Sequence, residues 1–419
     1  MRIALIDPTP ERRRERLYPI GLLRLGAYLR ERGDQVELFT NRVPSEGIFD
    51  EAWLSVVFTY HIPHALGIVK KLDGRVSRVR VGGPAASLLP DYFTKTGAEV
   101  HVGRLPEAES FAPAYDLLGF DPEYSIARMT RGCPRKCEWC AVPIIEGKFT
   151  QHEWVGDLDV RAKRILFYDD NILALPARKL GPELANLRAL CDAGTVQTFD
   201  FNQGLDPRLV GEKDGKQQPG AVEKCDAFAK LPLDPVRFAF DGMHEDGWVQ
   251  SAIRRFAQRG HANFMSLVLY NYEDAPRDMY HRLRALQQTS SDVTDELGRW
   301  VRCQSVPMRY SPIDRVGRDR DYVGQNWSVD LLHSFRALAN GHAVTGQIST
   351  DTMEEFEYWF GQDADEFVRM LRYPRIKELA EKRKLFIRGL RAKLRDEGRG
   401  NRMDLARELV AVREARANA

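Results

Sequence analysis

Three cysteines in the middle of the chain are the residues best suited to hold a metal. Cys133, Cys137 and Cys140 lie within eight residues of one another. Three thiolates on one short loop can bind three corners of a cuboidal iron–sulfur cluster, which leaves the fourth iron without a protein ligand. An open coordination position makes a metal centre reactive towards a small molecule. The spacing therefore predicts a reactive [4Fe-4S] site with these cysteines as its ligands.

Two other interpretations of this triplet stay open. A zinc site normally uses two closely spaced Cys or Cys/His pairs, and the nearest histidine downstream is His152. The triplet could also be a chance group of cysteines that bind nothing. The remaining cysteines, Cys191, Cys225 and Cys303, stand singly along the chain, which is typical of small buried residues.

The segments around the triplet predict the scaffold that positions it. A strand over 125–130 runs directly into the cysteines, and each of the apolar strands that follow has a helix-compatible segment behind it. These further strands are predicted at 164–168, 198–201, 236–240, 264–270 and 305–310. Six β/α units are too few for a closed eight-stranded barrel, so they predict an open, partial (β/α)6 barrel of the TIM type. The polar stretch 206–220 is predicted as a loop.

The triplet resembles the signature of the radical S-adenosylmethionine superfamily, in its position after the first barrel strand and in the aromatic Trp139 before the last cysteine. The resemblance implies that S-adenosylmethionine binds the open iron through its amino and carboxylate groups. One electron then cleaves the sulfonium bond, and the 5′-deoxyadenosyl radical that results abstracts a hydrogen atom from a substrate. The resemblance also implies that Trp139 lies near the adenine and that Gly132 turns the loop.

The resemblance extends to the residues after the second barrel strand. Asp169, Asp170 and Asn171 look like the superfamily's acidic motif, which receives the methionyl ammonium group. A carboxylate suits that place because it neutralises a cation held away from water. The alternative is an Asx turn that caps the next helix, and the two roles are compatible.

Polar residues also follow the later barrel strands. Gln203, Asp206 and Arg208 belong to a stretch similar to the QGLDxR sequence of members with a cobalamin domain, and they suit contacts with a ribose or a carboxylate. The alternative for Asp206 and Arg208 is a salt bridge within the loop. Asp241 and Asn271 occupy the equivalent places after the fourth and fifth strands, at the barrel end where such folds keep their sites. We predict that these residues contact a cofactor or substrate.

The first 120 residues predict a doubly wound, Rossmann-like parallel sheet, because short strands alternate with helices. Strands are predicted at 2–7, 35–39, 54–59, 78–81 and 99–102, with helices at 20–32 and 64–72. The stretch that begins at Tyr18 and the Gly82-Gly83-Pro84 turn resemble the cobalamin-binding-type domain common in the superfamily. The chain has no DxHxxG motif, and His61 and His64 do not match it, so no axial ligand can be named. Cobalamin binding and a domain without a cofactor both stay open.

The last hundred residues predict helices. They are expected at 327–340, at 352–371 and, as one or two helices, at 375–416. Residues 372–402 hold twelve Lys or Arg against four Asp or Glu, a local excess of +8. This charge can belong to an ordinary solvated helix face, or it can bind an anionic partner such as nucleic acid.

Length and composition set the broad class. A chain of 419 residues, with 43% hydrophobic and 29% charged residues, predicts a globular protein of two or three domains. The pattern of strands and helices places three domains, at 1–120, 121–320 and 321–419. The net charge of +2 argues against a general polyanion binder. No apolar run approaches the ~18 residues of a membrane span, and the start of the chain is unlike a signal peptide. We therefore expect a cytoplasmic protein that does not enter a membrane.

The resemblance, which covers about residues 1–315, implies an enzyme that cleaves S-adenosylmethionine reductively. If cobalamin binds, methyl transfer to an unactivated carbon is the expected outcome; without it, a rearrangement, an oxidation or a ring closure is equally allowed. An electron donor of the flavodoxin or ferredoxin type is implied as a partner. The alternative is a non-catalytic nucleic-acid-binding module whose cysteines anchor a structural metal. The sequence does not indicate the substrate.

Overall fold

The computed structural model describes residues 1–10, 17–45, 47–151, 154–316, 321–342 and 346–417. His152, the residue considered as a zinc ligand, lies outside these described residues. The chain folds into two compact units, each assembled from several segments. Unit 1 comprises Met1–Ile172, Ala189–Gln197 and Ser311–Asp321, and unit 2 comprises Leu173–Arg188, Thr198–Tyr310 and Tyr322–Ala419. The division into three domains stays a prediction.

Unit 1 begins with a parallel sheet. Its elements are β1 (Arg2–Asp7), α1 (Ile20–Glu31), β2 (Gln35–Thr40), β3 (Glu51–Ser55), α2 (Ile62–Leu72), β4 (Arg78–Gly82), α3 (Pro84–Leu88), α4 (Asp91–Thr94) and β5 (Glu99–Val100). The strands lie in the order β2-β1-β3-β4-β5. Helix α1 ends where Gly33, at φ +85°, takes a left-handed conformation that suits glycine, as the sequence predicts.

The core of this sheet explains why its central strand β1 is apolar on both faces. Ile3 and Leu5 pack on one face of β1 with residues of α1, while Ala4 and Ile6 pack on the other face with residues of α2. Successive side chains of a strand point to opposite faces, so a strand that packs against helices on both sides is mostly apolar. The sheet edge formed by the carboxyl ends of the strands is therefore left to carry polar groups.

The third strand lies earlier than predicted, at Glu51–Ser55 instead of 54–59. The prediction followed the apolar residues, but the strand begins at a buried carboxylate. Glu51 is 5% exposed and accepts a hydrogen bond of 2.8 Å from Trp53 Nε1. It also pairs with Arg78 on the neighbouring strand at 3.4 Å. These partners let a charged residue lie in the sheet, which an apolar pattern does not reveal.

The rest of unit 1 carries the cysteines. Its elements are α5 (Pro106–Glu109), β6 (Ser125–Ala127), β7 (Thr130–Arg131), α6 (Val142–Ile145), β8 (Thr150–Gln151) and β9 (Arg164–Phe167). The strand predicted over 125–130 is in fact two strands. β6 pairs with β9 in parallel, whereas β7 pairs with β8 in antiparallel. The chain therefore leaves the parallel sheet before it reaches the cysteines.

Unit 2 contains the later predicted strands. Its first elements are α7 (Ala177–Asp192, whose last residues belong to unit 1), β10 (Thr198–Phe201), β11 (Glu212–Lys213), β12 (Lys216–Gln217), α8 (Ala221–Phe228), β13 (Val236–Ala239), α9 (Trp248–Gln258), β14 (Asn263–Tyr270), α10 (Pro276–Leu297) and β15 (Arg302–Arg309). β13, β14 and β15 form a parallel sheet in that order. The stretch 206–220 is not wholly a loop, because β11 and β12 form an antiparallel hairpin within it.

Helices complete unit 2. They are α11 (Val329–His342), α12 (Met353–Phe360), α13 (Ala364–Leu371), α14 (Ile376–Asp396) and α15 (Arg402–Ala417). The segment 352–371 forms two helices, because Gly361 at φ +93° interrupts it and Asp363 caps the second. The mixed α/β fold with parallel sheets is confirmed, and the partial barrel stays a prediction. None of the described helices combines the length and the apolar character that a membrane crossing requires.

Candidate active site

The three cysteines lie on a loop between β7 and α6, which we call the cysteine loop (residues 132–141). All three are thiols and are partly exposed. The loop turns tightly at its end, where the Cys140 N–H donates to the Cys137 carbonyl at 3.1 Å. A short loop of this kind holds the three side chains in one region of the surface.

Gly132 starts the loop at a place where only glycine fits. Its φ is +72°, and a Cβ there would lie 2.8 Å from the Lys148 carbonyl oxygen and 2.9 Å from that of Gly147. The backbone of the cysteine loop therefore approaches the segment before β8 directly. The turn expected at Gly132 from the resemblance agrees with this conformation.

Two N–H groups point at the sulfur of Cys133. The Asn171 side-chain amide and the Arg135 backbone N–H both donate to Cys133 Sγ at 3.4 Å. Hydrogen bonds to sulfur tune the potential of an iron–sulfur cluster. Asn171 thus lies beside one predicted ligand.

The two carboxylates before Asn171 hold the start of the cysteine loop. Asp169 is buried and accepts hydrogen bonds from the Thr130 N–H at 2.6 Å, the Thr130 hydroxyl at 2.7 Å and the Met129 N–H at 3.2 Å. Asp170 accepts one from the Gly132 N–H at 2.8 Å. Asp169 therefore holds residues 129 and 130, just before the cysteine loop, and Asp170 holds Gly132 at the start of that loop. The helix cap stays an alternative prediction. Contact with a methionyl ammonium group stays a prediction.

Burial shifts the pKa of both carboxylates upwards. It raises the pKa of Asp169 to about 7, although the hydrogen bonds from Thr130 and Met129 oppose the rise. Burial also raises the pKa of Asp170, against the lowering effect of the Arg128 charge. Desolvation penalises the ionised form, so both groups accept a proton more readily than an exposed aspartate does.

A buried ion network that the sequence analysis missed lies next to the loop. Arg131 pairs with Glu146 at 2.9 Å and with Glu109, and Arg128 pairs with Glu146 at 3.0 Å. Burial would raise the pKa of Glu146, but the charges of Arg128 and Arg131 outweigh it and lower the pKa. The signal present in the sequence was a pair of arginines, Arg128 and Arg131, which are three residues apart and precede Gly132 and Cys133.

A cavity of about 510 Å³ adjoins this network within unit 1. Its charged lining residues are Arg24, Arg104, Glu109, Asp157 and Asp159. Glu109 therefore faces the cavity and also pairs with Arg131. Trp139 lies in the cysteine loop with its side chain partly exposed, and its contact with an adenine stays a prediction.

The predicted residues after β10 belong to unit 2. Asp206 accepts two hydrogen bonds from the Arg208 guanidinium, at 2.7 and 3.1 Å, and one from the Arg208 N–H at 3.1 Å. The alternative of a salt bridge within the loop is therefore confirmed. Gln203 is exposed. A ligand contact for any of the three stays a prediction.

Glu245 joins this group and was missed. It is 1% exposed, accepts a hydrogen bond from the Asp241 N–H at 2.6 Å and lies 3.5 Å from the Arg208 guanidinium. Burial, helped by the charge of Asp241, raises the pKa of Glu245 to about 7. Glu245 lies on a short helical turn and not at the end of a strand. Polar residues directly after each strand were the ones predicted from the sequence, so Glu245 was not among them.

Asn271 has a structural role in unit 2. It is fully buried at φ +70°, and its amide donates to the carbonyls of Tyr310 and Tyr322 at 3.2 and 3.1 Å. Its side-chain oxygen accepts from the Gly324 N–H at 2.8 Å. These bonds tie two loops together and use both amide hydrogens. In this conformation the Asn271 side chain therefore has no N–H left to donate to a ligand.

Arg282 supports the carboxyl ends of β13 and β14, near Asn271. Its side chain is 0% exposed. It donates to the carbonyls of Phe240, Asp241 and Leu269, and it pairs with Asp274 at 2.7 Å. A buried guanidinium with all these acceptors fixes the carboxyl ends of β13 and β14.

The predicted site residues thus fall into two groups. The cysteines, Trp139 and the three residues 169–171 lie in unit 1, and Gln203, Asp206, Arg208, Asp241 and Asn271 lie in unit 2. Within the described ranges, no three His, Cys, Asp or Glu side chains converge on a single metal ion. Comparison with protein-family models gives no match, and comparison with curated proteins gives no significant similarity.

Proposed function

We propose that this protein is an enzyme that holds a [4Fe-4S] cluster on Cys133, Cys137 and Cys140 and uses it to cleave S-adenosylmethionine. The observation that carries the proposal is the cysteine loop itself. Its three thiols are partly exposed on one short loop, and Cys133 Sγ accepts hydrogen bonds from Asn171 and Arg135.

The donor set of the cysteine loop suits such a cluster. In a cuboidal cluster each thiolate binds a different iron, so the three sulfurs need not converge on one ion. When bound by Cys133, Cys137 and Cys140, the cluster would supply the single electron that cleaves S-adenosylmethionine into methionine and a 5′-deoxyadenosyl group able to take a hydrogen atom from a substrate. The cysteine loop would hold the cluster, while Asp169 and Asp170 keep the backbone of residues 129–132 in place.

The remaining predicted residues have assigned roles within this proposal. Asp170 and Asn171 would receive the ammonium group of S-adenosylmethionine, and Trp139 would lie against its adenine. Gln203, Asp206, Arg208 and Asp241 would contact the cofactor or substrate. An electron donor of the flavodoxin or ferredoxin type would supply the reducing equivalent.

Cobalamin remains a second proposed cofactor. The strands lie in the order β2-β1-β3-β4-β5, so the chain builds the sheet in one direction from β1 to β2 and in the other direction from β3 onwards. Open α/β sheets bind ligands where this direction changes, at the carboxyl ends of the two strands concerned, here β1 and β3. His61 is buried against Phe58 and Tyr60, and His64 lies 2.5 Å from the Asn41 side-chain oxygen. If cobalamin binds, methyl transfer is the proposed reaction.

The test is anaerobic reconstitution of the full chain with iron and sulfide. We expect about four irons per chain, a brown protein, and 5′-deoxyadenosine by mass spectrometry after addition of dithionite and S-adenosylmethionine. Cys137→Ala should lose the cluster. Cys191→Ala is the matched control, because Cys191 is also partly exposed and should leave the iron content unchanged. Iron loss in the control alone would show that the ligands are misassigned.

A non-catalytic nucleic-acid-binding module is the alternative, favoured by the excess of +8 charges in residues 372–402. It predicts a colourless protein that holds zinc and forms no 5′-deoxyadenosine after reconstitution. Adding hydroxocobalamin to the same reconstitution and recording the absorption spectrum tests the second cofactor.

A further inference from the structure

One side of helix α14 is closed by packing. Its buried residues Ile376, Ala380, Ile387 and Leu394 recur at helical spacing on a single side. Gly341 of α11 lies so close that a Cβ on it would come within 2.8 Å of the Ala380 Cβ. The apolar side of α14 therefore packs within unit 2, and the adjoining side is left to solvent.

Beside the packed side runs a line of cations, which we call the basic row: Lys377, Lys384, Arg388, Arg391 and Arg395. At 3.6 residues per turn these residues lie within about 40° of one line along the helix. All but Lys384 are exposed. The rise of the helix places Lys377 and Arg395 about 27 Å apart, so the row is long and straight.

Acidic neighbours neutralise only part of the basic row. Arg391 pairs with Asp351 and Glu355, each at 2.9 Å, and Lys384 lies 3.4 Å from Glu381. In the described part of the chain, Lys377, Arg388 and Arg395 have no ion-pair partner. Like charges held on one helix repel one another, and an anionic partner would relieve that repulsion.

We propose that the basic row binds the phosphate backbone of a nucleic-acid duplex. Lysine and arginine side chains in a straight line suit a rigid row of phosphates. A single strand is less well matched, because proteins that bind single strands add aromatic side chains on which bases stack, and the row contains none. Phe386 lies on another side of α14 and stacks on Tyr358.

A lipid surface is also less well matched. Helices that bind at a membrane surface insert an apolar face beneath their cationic one. The apolar side of α14 is buried in the protein, and the exposed large apolar side chain of this helix is Leu385, at 58%. The chemistry of the row is therefore that of a phosphate backbone contact. It goes beyond the proposed enzyme activity and does not depend on a cluster.

The test uses the full chain and a fluorescent 20-base-pair duplex, with anisotropy measured between 50 and 200 mM salt. Arg388→Gln with Arg395→Gln should reduce the slope of log affinity against log salt by about 2, since each phosphate contact contributes about 0.9. Affinity at 0.1 M salt should fall on the order of tenfold or more. Both variant sites are exposed, so circular dichroism melts should match those of the unaltered chain.

The matched control is Lys382→Gln with Lys393→Gln, which removes the same charge from exposed positions on other sides of α14. We expect its slope to stay unchanged. Equal losses in the two double variants would overturn the proposal, because net charge alone would then explain binding. Absence of duplex binding by the unaltered chain would also overturn it. So would tighter binding to a single strand of the same length, or to vesicles of phosphatidylcholine and phosphatidylglycerol.

Discussion

At the scale of single residues, the acidic pair after β9 has a role that its sequence did not reveal. Asp169 and Asp170 accept hydrogen bonds from backbone N–H groups of residues 129, 130 and 132, across about forty residues of chain. They place the cysteine loop relative to β9. A sequence motif can indicate that two aspartates are important. Which groups donate hydrogen bonds to them depends on the segment that folds beside them.

Asp170→Ala should destabilise the protein by about 1–3 kcal/mol, because the buried Gly132 N–H would lose its acceptor. Asp170→Asn keeps a side-chain oxygen in place and should cost less than about 1 kcal/mol. Urea unfolding of the two variants measures the difference. If both lose the same stability, the hydrogen bond to Gly132 is not what Asp170 contributes.

Glu245 predicts a pH dependence of stability. Burial raises its pKa in the folded protein from 4.5 to about 7. The protonated Glu245 therefore adds to the free energy of unfolding. This contribution is fully present below 4.5, the pKa of the glutamate in the unfolded chain, and it is lost as the pH rises through 7. Between pH 5.5 and 8 the loss should be roughly 2 kcal/mol.

Glu245→Gln removes this titration and keeps an acceptor for the Asp241 N–H. The variant should therefore lose roughly 2 kcal/mol less stability than the unaltered chain between pH 5.5 and 8. Denaturant unfolding at the two pH values measures both losses. Identical pH profiles would mean that Glu245 titrates near its ordinary value.

At the scale of elements, the cysteine loop depends on its contact with the segment before β8. Gly132 and Gly147 both have positive φ, at +72° and +75°. A Cβ at Gly132 would meet two carbonyl oxygens within 3 Å, whereas nothing lies within 4 Å of one at Gly147. An alanine at Gly147 would therefore suffer backbone strain alone, whereas an alanine at Gly132 would suffer the same strain and also collide with the two carbonyl oxygens.

Gly147→Ala should cost about 1–2 kcal/mol, from its left-handed backbone alone. Gly132→Ala should cost more than this, since either the loop or residues 147–148 must also move. Thermal or urea unfolding compares them. Equal costs would show that the close approach at Gly132 yields easily.

At the scale of the whole molecule, the cysteines differ in their surroundings. The three of the cysteine loop and Cys191 are partly exposed, while Cys225 and Cys303 are buried. Burial raises the pKa of the Cys225 thiol to about 11 and that of Cys303 to about 12. Thiols with such pKa values react very slowly near neutral pH.

A thiol reagent should therefore modify Cys191 and the three loop cysteines rapidly in the cluster-free chain, and all six cysteines after unfolding in guanidinium. After reconstitution with iron and sulfide, the loop cysteines should be protected and Cys191 should still react. With a thiol reagent that releases a coloured product, absorbance gives the number of cysteines modified in each state. Rapid modification of Cys225 or Cys303 in the folded chain would contradict the burial described here.

The sequence by itself determined the local features of this protein. Periodicity predicted most strands and helices of both units, because it reflects which side of each element is buried. The spacing of Cys133, Cys137 and Cys140 indicated one loop, since eight residues cannot separate far. The salt bridge between Asp206 and Arg208 was also within reach, because the two residues are two positions apart.

Only the tertiary structure decided the contacts that join distant segments. Glu51 could be placed in a strand only once its partners were known, and the network of Arg131, Glu109 and Glu146 brings together three separate stretches of chain. The same holds for Glu245 and for the loop role of Asn271. A buried polar group is stable only with a partner, and the identity of that partner is a property of the folded chain.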